Sequence, residues 1–361
     1  MKSKGDFDIA LFTRYSSMGA SSRVRLLQYK KNFEAKNVKV TLVPFFSDTQ
    51  LQQSYDYGRY SLVTIFRCYL TRAIKIIQNR KKLIIIEKEL FPYVPFFLEN
   101  LFLKSKYIVD IDDAIHIQYQ SSDNFLVRFF LGDKIKKIIA NSSSVIAGSN
   151  SLVAYANLCN ASRVLYVPSA VPIEKINTNL ANIIEDEICI CWIGSPSTSK
   201  YIEILRDFIY KASNDFNSKF LFIGAKKESF KNPLKGNIDF IPWNQKEEYD
   251  LISKCHIGIM PLPKGDFEDG KCAYKLIQYM SCGLPVLASP VGENNKVVKQ
   301  GYNGFLCNHS DEWLSSLSLL LNKKTLLTMG NNSFDEYKNN FTAKDAFSKI
   351  MNELYVIREG N

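Results

Sequence analysis

The sequence predicts an α/β protein made of two doubly wound parallel sheets, one in each of two domains. Short apolar strand patterns alternate with helical patterns along the chain, which favours parallel sheets covered by helices on both faces. A polar stretch without a clear period, at residues 171–187, is interpreted as a hinge between the domains. The length of 361 residues suffices for about two domains that each bury a core.

The strand patterns indicate a first domain at residues 1–170 and a second at residues 188–342. The first strand leads into a helix that extends to about residue 36. Further helices are expected at 271–282, 313–321 and 343–357. Strands are predicted at 8–12, 38–44, 83–86, 107–111, 145–147, 164–167, 188–193, 220–223, 238–241, 257–260 and 286–288.

Composition favours a globular protein with an anionic partner. The apolar fraction is 46% and the formal net charge is +10, which favours a phosphorylated substrate, a nucleic acid or a membrane surface. Because no arginine-rich tract, zinc-finger spacing or RNA-binding aromatic signature is present, we do not expect nucleic acid as a partner. The first residues lack a signal-peptide pattern, and no run approaches the roughly 18 apolar residues that span a bilayer. We therefore expect a cytoplasmic protein.

The eight cysteines are scattered without a C-x-x-C pair. This spacing favours reduced, mostly buried thiols over a disulfide framework or a metal site. Asp112 and Asp113 lack the partner cluster that metal ligands need. We expect no metal ion and no cofactor.

The most specific pattern extends from His256 to Leu306. A short apolar strand is followed by a polar, glycine-bearing loop and then by helical spacing at 271–282. Such a loop binds anions, because the amides of a helix's first turn lack partners within the helix. Lys271 and Lys275 lie at this predicted helix start, where positive charge is unfavourable unless an anion compensates it. We interpret the anion as the diphosphate of a nucleotide-sugar. The candidate residues from this pattern are Gly270, Lys271, Cys272 and Lys275.

A second loop of the same domain, WIGSPSTSK at 192–200, follows the strand at 188–193. Gly194 permits a tight turn, and Pro196 suits the first position of a helix. Lys200 then lies within reach of the helix N-terminus. An ordinary turn with an exposed lysine is the alternative, but the nearby Lys271 loop favours phosphate binding by Gly194, Ser195 and Lys200.

The loop at 13–25 joins the first strand of the chain to its first helix. Gly19 allows the backbone to approach a phosphate of the donor, and Arg23 and Arg25 can contact a phosphate of the acceptor. The spacing is not G-x-G-x-x-G, which disfavours an NAD-linked oxidoreductase. A surface turn before a solvated helix is the alternative.

Charged residues also follow two other strands of the first domain. His116, one of three histidines, comes after the strand at 107–111 and can hydrogen-bond the donor sugar or assist near the reacting centre. A structural histidine is the alternative. Glu87 and Glu89 follow the strand at 83–86 and are candidates for the acceptor side, with a solvated loop as the alternative.

Two segments of the first domain, 91–102 and 124–139, mix bulky apolar residues with basic ones. This composition favours contact with a membrane surface that carries a lipid-linked acceptor. Two core-facing helices with solvated basic faces would have the same composition, and both interpretations stay open.

With these residues identified, the chain resembles a bacterial branch of the family-four glycosyltransferases. The resemblance covers roughly 142–306 and is carried by SSSVIAGSNSLVAYANLCNASRVLYVPSAVP, WIGSPSTSKYIEIL and the pattern from His256 to Leu306. It implies the GT-B fold of two facing Rossmann-like domains, with a final helix, 343–361, that returns to the first domain. It also implies a retaining, metal-independent transfer of a sugar from a nucleotide-sugar to a carbohydrate or lipid-linked acceptor.

The chain departs from the family pattern at three positions. The family's phosphate-binding arginine falls on Ser195, whereas its lysine is kept as Lys200. The two family glutamates that lie eight positions apart fall on Gly270 and Gln278, so both carboxylates are absent. Gln278 can still hydrogen-bond a ribose hydroxyl, and Lys271 supplies positive charge where the arginine is missing.

The sequence therefore predicts a hexosyltransferase that uses a UDP- or GDP-sugar in bacterial cell-surface polysaccharide synthesis, such as that of lipopolysaccharide. Lys200 and Lys271 would stabilise the departing diphosphate, and the family's donor-side histidine is carried onto His116. The nucleotide-sugar is a substrate, and the enzyme would work at the inner face of the cytoplasmic membrane. One alternative is an inverting transferase with Asp112 or Glu89 as the base. Another is an inactive subunit that binds sugar nucleotides, which the missing carboxylates favour.

Overall fold

The structure, a computed structural model, describes residues 7–103, 106–172 and 187–359. The chain divides into two compact units, Met1–Ser169 with Ala346–Asn361 and Ala170–Asp345. Each unit contains a six-stranded parallel sheet with helices between the strands. The predicted α/β class with two doubly wound sheets is confirmed. Most of the predicted hinge at 171–187 lies outside the described residues, and the domain boundaries stay predictions.

The strands of the first sheet are mostly apolar segments. Its strands are β1 (Phe7–Tyr15), β2 (Val38–Phe46), β3 (Leu83–Glu87), β4 (Tyr107–Ile111), β5 (Ser144–Ala147) and β6 (Val164–Tyr166). The strand order is β2-β1-β3-β4-β5-β6, and neighbouring strands are parallel. The central strands are buried on both faces, as expected for a parallel sheet between helical layers.

The second sheet has the same architecture. Its strands are β7 (Ile188–Ile193), β8 (Ser218–Ile223), β9 (Asn237–Ile241), β10 (Ile257–Met260), β11 (Val286–Ala288) and β12 (Gly304–Leu306). The order is β12-β11-β10-β7-β8-β9, again parallel. One face packs against Tyr249, Leu276 and Tyr337, and the other packs against Phe208 and Trp313, so the sheet separates two hydrophobic clusters.

Helices connect the strands in both units. The α-helices are α1 (Ala20–Arg25), α2 (Lys30–Ala35), α3 (Asp48–Tyr57), α4 (Leu62–Gln78), α5 (Phe96–Glu99), α6 (Ile115–Gln120), α7 (Phe125–Leu131), α8 (Lys134–Ala140), α9 (Asn150–Leu158), α10 (Arg206–Asp215), α11 (Glu248–Ser253), α12 (Asp266–Asp269), α13 (Tyr274–Ser281), α14 (Asn294–Val297), α15 (Ser310–Leu320), α16 (Lys323–Asn340) and α17 (Ala343–Glu359). Short 3-10 helices lie at Leu27–Tyr29, Pro196–Leu205 and Lys227–Ser229.

Two details of the predicted elements were wrong. The helix expected at 271–282 begins only at Tyr274, because Ala273 before it adopts a left-handed conformation with φ of 51°. The loop before it contains the single-turn helix α12, which is not evident from its polar composition. Gly283 ends α13 with φ of 74°, the conformation that favours glycine after a helix.

The C-terminal helix α17 packs against the beginning of the chain. The Phe347 ring lies 5.9 Å from that of Tyr29 and 5.1 Å from that of Phe33, measured between centroids. Further along α17, Glu353 accepts hydrogen bonds of 2.8 and 3.0 Å from the Arg163 guanidinium. The first unit is therefore completed by residues that follow the whole second unit in sequence.

A buried ion cluster joins the loop after β3 to two helices of the first unit. The ammonium of Lys134 on α8 lies 2.7 Å from a carboxylate oxygen of Glu89 and 2.9 Å from one of Glu99 on α5. All three side chains are almost completely buried. Glu89 also accepts from Arg14 at 3.0 Å and from the Tyr119 hydroxyl at 2.8 Å. The cluster depends strongly on Lys134, because this ammonium lies between two buried carboxylates and pairs with both.

We predict that Lys134→Met lowers the free energy of unfolding by about 3–5 kcal/mol, because it leaves two buried carboxylates without their ammonium. Urea-induced unfolding followed by circular dichroism measures the loss. Lys137→Met, at an exposed position of the same helix, is the control and should change stability by less than about 0.5 kcal/mol. Equal stabilities of the two variants would contradict the structural importance of this cluster.

Candidate active site

The loops with the predicted phosphate-binding residues leave two neighbouring strands of the second sheet. From β7 the chain goes on to β8 on one side, whereas β10 lies on the other side of β7. The loops after β7 and β10 therefore separate at their carboxyl ends and leave a crevice between them. This reversal of strand order is where open α/β sheets bind their ligands.

Gly194 and its neighbours form a tightly packed turn after β7. A Cβ atom at Gly194 would lie 2.5 Å from Cη2 of the buried Trp192 and 2.8 Å from Oγ1 of Thr198, so no larger residue fits. Gly224, with φ of 86°, brings the turn after β8 against the Gly194 carbonyl oxygen. Ser195 then begins the 3-10 helix Pro196–Leu205 with its hydroxyl 2.9 Å from that of Ser197.

Lys200 and Lys271 both lie against the same aromatic ring. The ammonium of Lys200 lies 5.4 Å from the ring centroid of Tyr201, and that of Lys271 lies 5.8 Å from the same centroid. The Lys271 ammonium is also 4.7 Å from the Phe267 centroid. Cations favour aromatic faces at such distances. The Tyr201 hydroxyl donates a 2.7 Å hydrogen bond to Glu268 of α12, which fixes the ring between the two loops.

The remaining candidates of the β10 loop lie on both sides of the helix start. Cys272 precedes α13 and is buried, and Gly270 is buried at the end of α12. Lys275 is the second residue of α13, and its ammonium lies 5.5 Å from the Trp192 ring centroid. Gln278 is a further turn along the helix and is almost fully buried. Lys200, Lys271 and Lys275 thus lie against aromatic rings of β7 and the segment after it. Of the two lysines predicted at the start of α13, only Lys275 belongs to that helix.

A buried tyrosine fixes α13 to both strands that carry these loops. The Tyr279 hydroxyl accepts a 3.0 Å hydrogen bond from the Ile193 amide of β7 and donates a 3.2 Å bond to the Ile259 carbonyl of β10. A Cβ at Gly258 would lie 2.2 Å from the Tyr279 ring, so glycine in this strand is required by the close approach. Burial raises the pKa of Tyr279 well above its ordinary value, which keeps the donor protonated.

The turn after β11 supports the same crevice and was not identified from the sequence. The Ser289 hydroxyl accepts a 3.0 Å bond from the Leu262 amide of the β10 loop. Asn294 donates a 3.0 Å bond to the Ser289 carbonyl. Gly292 has φ of 52°, and a Cβ there would lie 2.5 Å from the Asp269 carbonyl oxygen. A glycine and small polar residues directly after a predicted strand were the available signal.

In the first unit, the predicted acceptor arginines are engaged with the protein itself. Arg25 is buried, forms a 2.7 Å ion pair with Asp110 and donates a 2.7 Å bond to the Val167 carbonyl. Burial, opposed by Arg25, raises the pKa of Asp110. Arg23 donates a 3.1 Å bond to the Ser17 carbonyl of the β1 loop. These contacts give both arginines a role in holding the fold, and contact with an acceptor stays a prediction.

Gly19 begins α1 at a position where its hydrogen atom faces Tyr15. A Cβ there would lie 2.3 Å from the Tyr15 Cβ atom, so close packing alone requires glycine. Approach of this backbone to a phosphate stays a prediction.

Glu87 is the centre of a second buried network. It accepts from the Arg14 amide at 2.8 Å and from the hydroxyls of Ser21 and Ser22 at 2.9 and 2.6 Å. Burial raises the pKa of Glu87. With Glu89 held in the Lys134 cluster, neither predicted acceptor glutamate is a solvated loop residue.

Lys88 forms two ion pairs with the loop after β4. Its ammonium lies 2.9 Å from a carboxylate oxygen of Asp112 and 3.1 Å from one of Asp113. Burial tends to raise the pKa of Asp112, but the Lys88 ammonium and the Ser21 hydroxyl outweigh it and hold the pKa below its usual range. Ser21 therefore connects Asp112 to Glu87 at the carboxyl ends of β3 and β4.

His116 lies on α6 with its ring stacked on Tyr155, at a centroid distance of 3.6 Å and an interplanar angle of 8°. It is mostly buried. This packing is what a structural histidine would show, and the predicted contact with a donor sugar stays a prediction.

The cysteines are free thiols, and the Sγ atoms of Cys189 and Cys255 lie 3.4 Å apart. Their hydrogen bond, together with burial, raises the pKa of Cys189. Within 7–103, 106–172 and 187–359, no group of three or more His, Cys, Asp or Glu residues is arranged to hold a metal ion. In that part of the chain no helix combines the length and apolar character needed to cross a bilayer.

Comparison with known proteins shows similarity to glycosyltransferases, which includes most of the second unit. Residues 187–323 match the family model described as Glycosyl transferases group 1. An uncharacterized glycosyltransferase of Methanocaldococcus jannaschii is 29% identical over 149 residues, which are 39% of this chain and 40% of that relative. A second one from the same organism is 23% identical over 284 residues, 72% of this chain and 71% of its own length. The chain thus spans less than half of the first relative.

Solved structures match nearly the whole chain. Sucrose-phosphate synthase from Thermosynechococcus elongatus is 15% identical, with a TM-score of 0.71 over 97% of this chain and 99% of that one. The Anabaena protein HepE, crystallised with UDP, is 13% identical, with a TM-score of 0.65 over 96% and 99%. The predicted resemblance to family-four glycosyltransferases and the GT-B fold are confirmed. The bacterial branch stays a prediction.

We predict that Tyr279→Phe lowers the free energy of unfolding by about 1–3 kcal/mol, because the buried Ile193 amide loses its acceptor. Tryptophan fluorescence during urea unfolding is a suitable measurement, since all three tryptophans lie in the second unit. Tyr302→Phe, at a largely exposed position, is the control and should shift stability by less than about 0.5 kcal/mol. Indistinguishable unfolding of both variants would show that the Tyr279 hydroxyl does not fix α13.

Proposed function

We propose that this chain, whose residues 187–323 match the model of the group 1 glycosyltransferases, is a retaining transferase that uses a nucleotide-sugar. The observation that carries the proposal is the convergence of Lys200 and Lys271 over Tyr201, at the reversal of strand order in the second sheet. The two ammonium groups, from different loops, lie 5.4 and 5.8 Å from the Tyr201 ring centroid. A diphosphate bound between the β7 and β10 loops would neutralise both.

The chemistry requires stabilisation of the leaving group more than activation of a nucleophile. As the bond between the anomeric carbon and the diphosphate oxygen breaks, negative charge grows on the diphosphate and positive charge on the sugar. Cations already aimed at the diphosphate stabilise this transition state more than the ground state. In a same-face transfer, the acceptor hydroxyl bonds to the anomeric carbon and its proton passes to the leaving phosphate oxygen. This route needs no covalent intermediate on the protein.

Two departures from the family pattern bear on the donor. Gly270 and Gln278 stand where the family has carboxylates, so contacts to sugar and ribose hydroxyls would come from the Gln278 amide and from backbone groups. Lys271, next to Gly270, adds a cation close to the position where the arginine is replaced by Ser195. We propose a UDP-sugar as the donor, supported by the HepE structures with UDP and UDP-glucose. A GDP-sugar is the alternative.

For the remaining details we propose a metal-independent hexosyltransferase that acts on a saccharide or lipid-linked saccharide in cell-surface polysaccharide synthesis. It would work in the cytoplasm at the inner membrane face. The basic net charge of +10 and the exposed aromatic residues of α5 and α7 support a membrane-borne acceptor. His116, Arg23 and Arg25 stay candidates for sugar and acceptor contacts.

An inverting mechanism with a first-unit base is less well supported. Glu89 is bound by Lys134, Arg14 and Tyr119, which occupy the oxygens a base would use. Asp112 is bound by Lys88 and Ser21, which lower its pKa and weaken it as a base. The missing carboxylates favour the other alternative, a subunit that binds sugar nucleotides without transferring them.

We predict that Lys271→Ala and Lys200→Ala each weaken UDP binding and lower turnover about tenfold or more, because each removes a cation aimed at the diphosphate. Calorimetric titration with UDP, GDP and ADP measures binding and identifies the base. Lys254→Ala is the matched control, since this exposed lysine precedes β10 and lies at the opposite end of the strand. It should bind UDP like the unmodified chain.

The outcomes separate the candidate functions. NMR of the product's anomeric configuration distinguishes retention from inversion. Nucleotide binding without transfer or donor hydrolysis, in the presence of a saccharide acceptor, would favour the inactive subunit. Normal UDP affinity in both the Lys200 and Lys271 variants would remove this pair from the site and contradict the proposal.

A further inference from the structure

Helix α4 presents an unusually apolar face to the solvent. Its exposed side chains share one stripe, because most of them recur at intervals of three or four residues. At 100° per residue they cover about 120° of the helix circumference. Phe66 is 69% exposed and Leu62 is 84% exposed. We call this stripe the α4 face, and its residues are Leu62, Val63, Phe66, Leu70, Ile74 and Ile77.

The opposite side of the helix is firmly attached to the first sheet. Arg72 is buried there, with its guanidinium carbon 5.4 Å from the Phe12 ring centroid and 5.2 Å from that of Phe45. It also donates a hydrogen bond to the Thr13 carbonyl. The α4 face is therefore not exposed because the helix is loosely packed. It is the solvent-facing side of a helix whose other side is packed against the first sheet.

Other exposed aromatic residues lie on the same side of the sheet. The crossovers β2 to β3, β3 to β4 and β4 to β5 all run in one direction, and right-handed connections then place their helices on one face. Tyr69 of α4 lies 6.2 Å from the Phe91 ring, close to α5, and α5 and α7 both contact α8. Their exposed residues are Phe97, Leu98, Phe125, Leu126, Phe129 and Phe130.

The chain segment that carries the α4 face has charges of one sign. The segment 57–86 contains seven lysines and arginines and no aspartate or glutamate. Arg67 lies at the edge of the stripe, and Arg59 and Lys81 flank the helix ends. Exposed arginine and lysine also accompany the apolar residues of α7 and α8, at Arg128 and Lys137. An apolar stripe bordered by cations is typical of helices that lie in the interface of an anionic bilayer.

We infer that the α4 face, together with the exposed residues of α5 and α7, docks the chain on an anionic lipid surface. A second copy of the chain fits less well, because a two-fold contact would bring the same positive charges together. Anionic headgroups would pair with the cations while the apolar stripe enters the acyl boundary. The inference extends the predicted membrane contact at 91–102 and 124–139 to a helix not identified from the sequence. It does not depend on the transfer reaction.

Co-sedimentation of the full chain with vesicles tests the inference. We expect binding to equimolar phosphatidylglycerol and phosphatidylcholine and little binding to phosphatidylcholine alone. Phe66→Ser with Leu70→Ser should weaken binding about tenfold or more, because two apolar side chains no longer leave water. Arg59→Gln with Arg67→Gln should weaken it by a similar factor and make it less sensitive to salt. Tyr210→Ser with Leu319→Ser, which changes exposed residues of the second unit, should bind unchanged.

All these side chains are exposed, so unchanged thermal unfolding verifies that the variants are folded. No binding of the unmodified chain to the anionic vesicles would overturn the inference, and so would undiminished binding of the Phe66 and Leu70 variant. Sedimentation velocity gives a further decisive outcome. A dimer that these two substitutions dissociate, with no vesicle binding, would identify the surface as a self-contact instead.

Discussion

The contact of two lysine side chains from different loops with the one ring of Tyr201 is the constraint on which the proposed donor site depends. Lys200 and Lys271 come from different loops, and both loops are held in place by contacts that do not involve a ligand. Glu268 orients the Tyr201 hydroxyl, and Tyr279 ties α13 to β7 and β10. The two loops of the proposed site are thus fixed in place by contacts within the protein itself. Such preorganisation is what electrostatic stabilisation of a leaving group requires.

The strands were predictable because their apolar runs have no other arrangement that buries them. The segments at 188–193 and 257–260 match β7 and β10 residue for residue. The sequence placed the loops carrying Lys200 and Lys271 in the same domain, and the strand order shows that their strands are neighbours. The supporting residues could not be predicted in the same way. The sequence pattern indicates only that Tyr201 and Tyr279 are aromatic residues of the core. The partners of their hydroxyls are known only from the three-dimensional packing.

The charged residues near the ends of the first-unit strands pair with one another inside the protein. Arg25, Glu87 and Glu89 follow strands as functional residues do, yet each is buried in a network with other charges. At the carboxyl end of a parallel sheet, strands, loops and helix starts converge, and polar groups there can hold one another. Sequence position alone does not distinguish such internal pairing from substrate contact. Burial and partner geometry do.

The return of α17 to the first unit has a consequence for biosynthesis. Phe347 fills the space beside Tyr29 and Phe33, and Glu353 pairs with Arg163, so one hydrophobic core draws on both ends of the polypeptide. Domains that emerge first from the ribosome ordinarily fold first. Here the first unit cannot complete its core until α17 has left the ribosome. The apolar side chains that α17 covers stay exposed to water until then. A nascent chain would therefore expose this uncovered part of its core to chaperones.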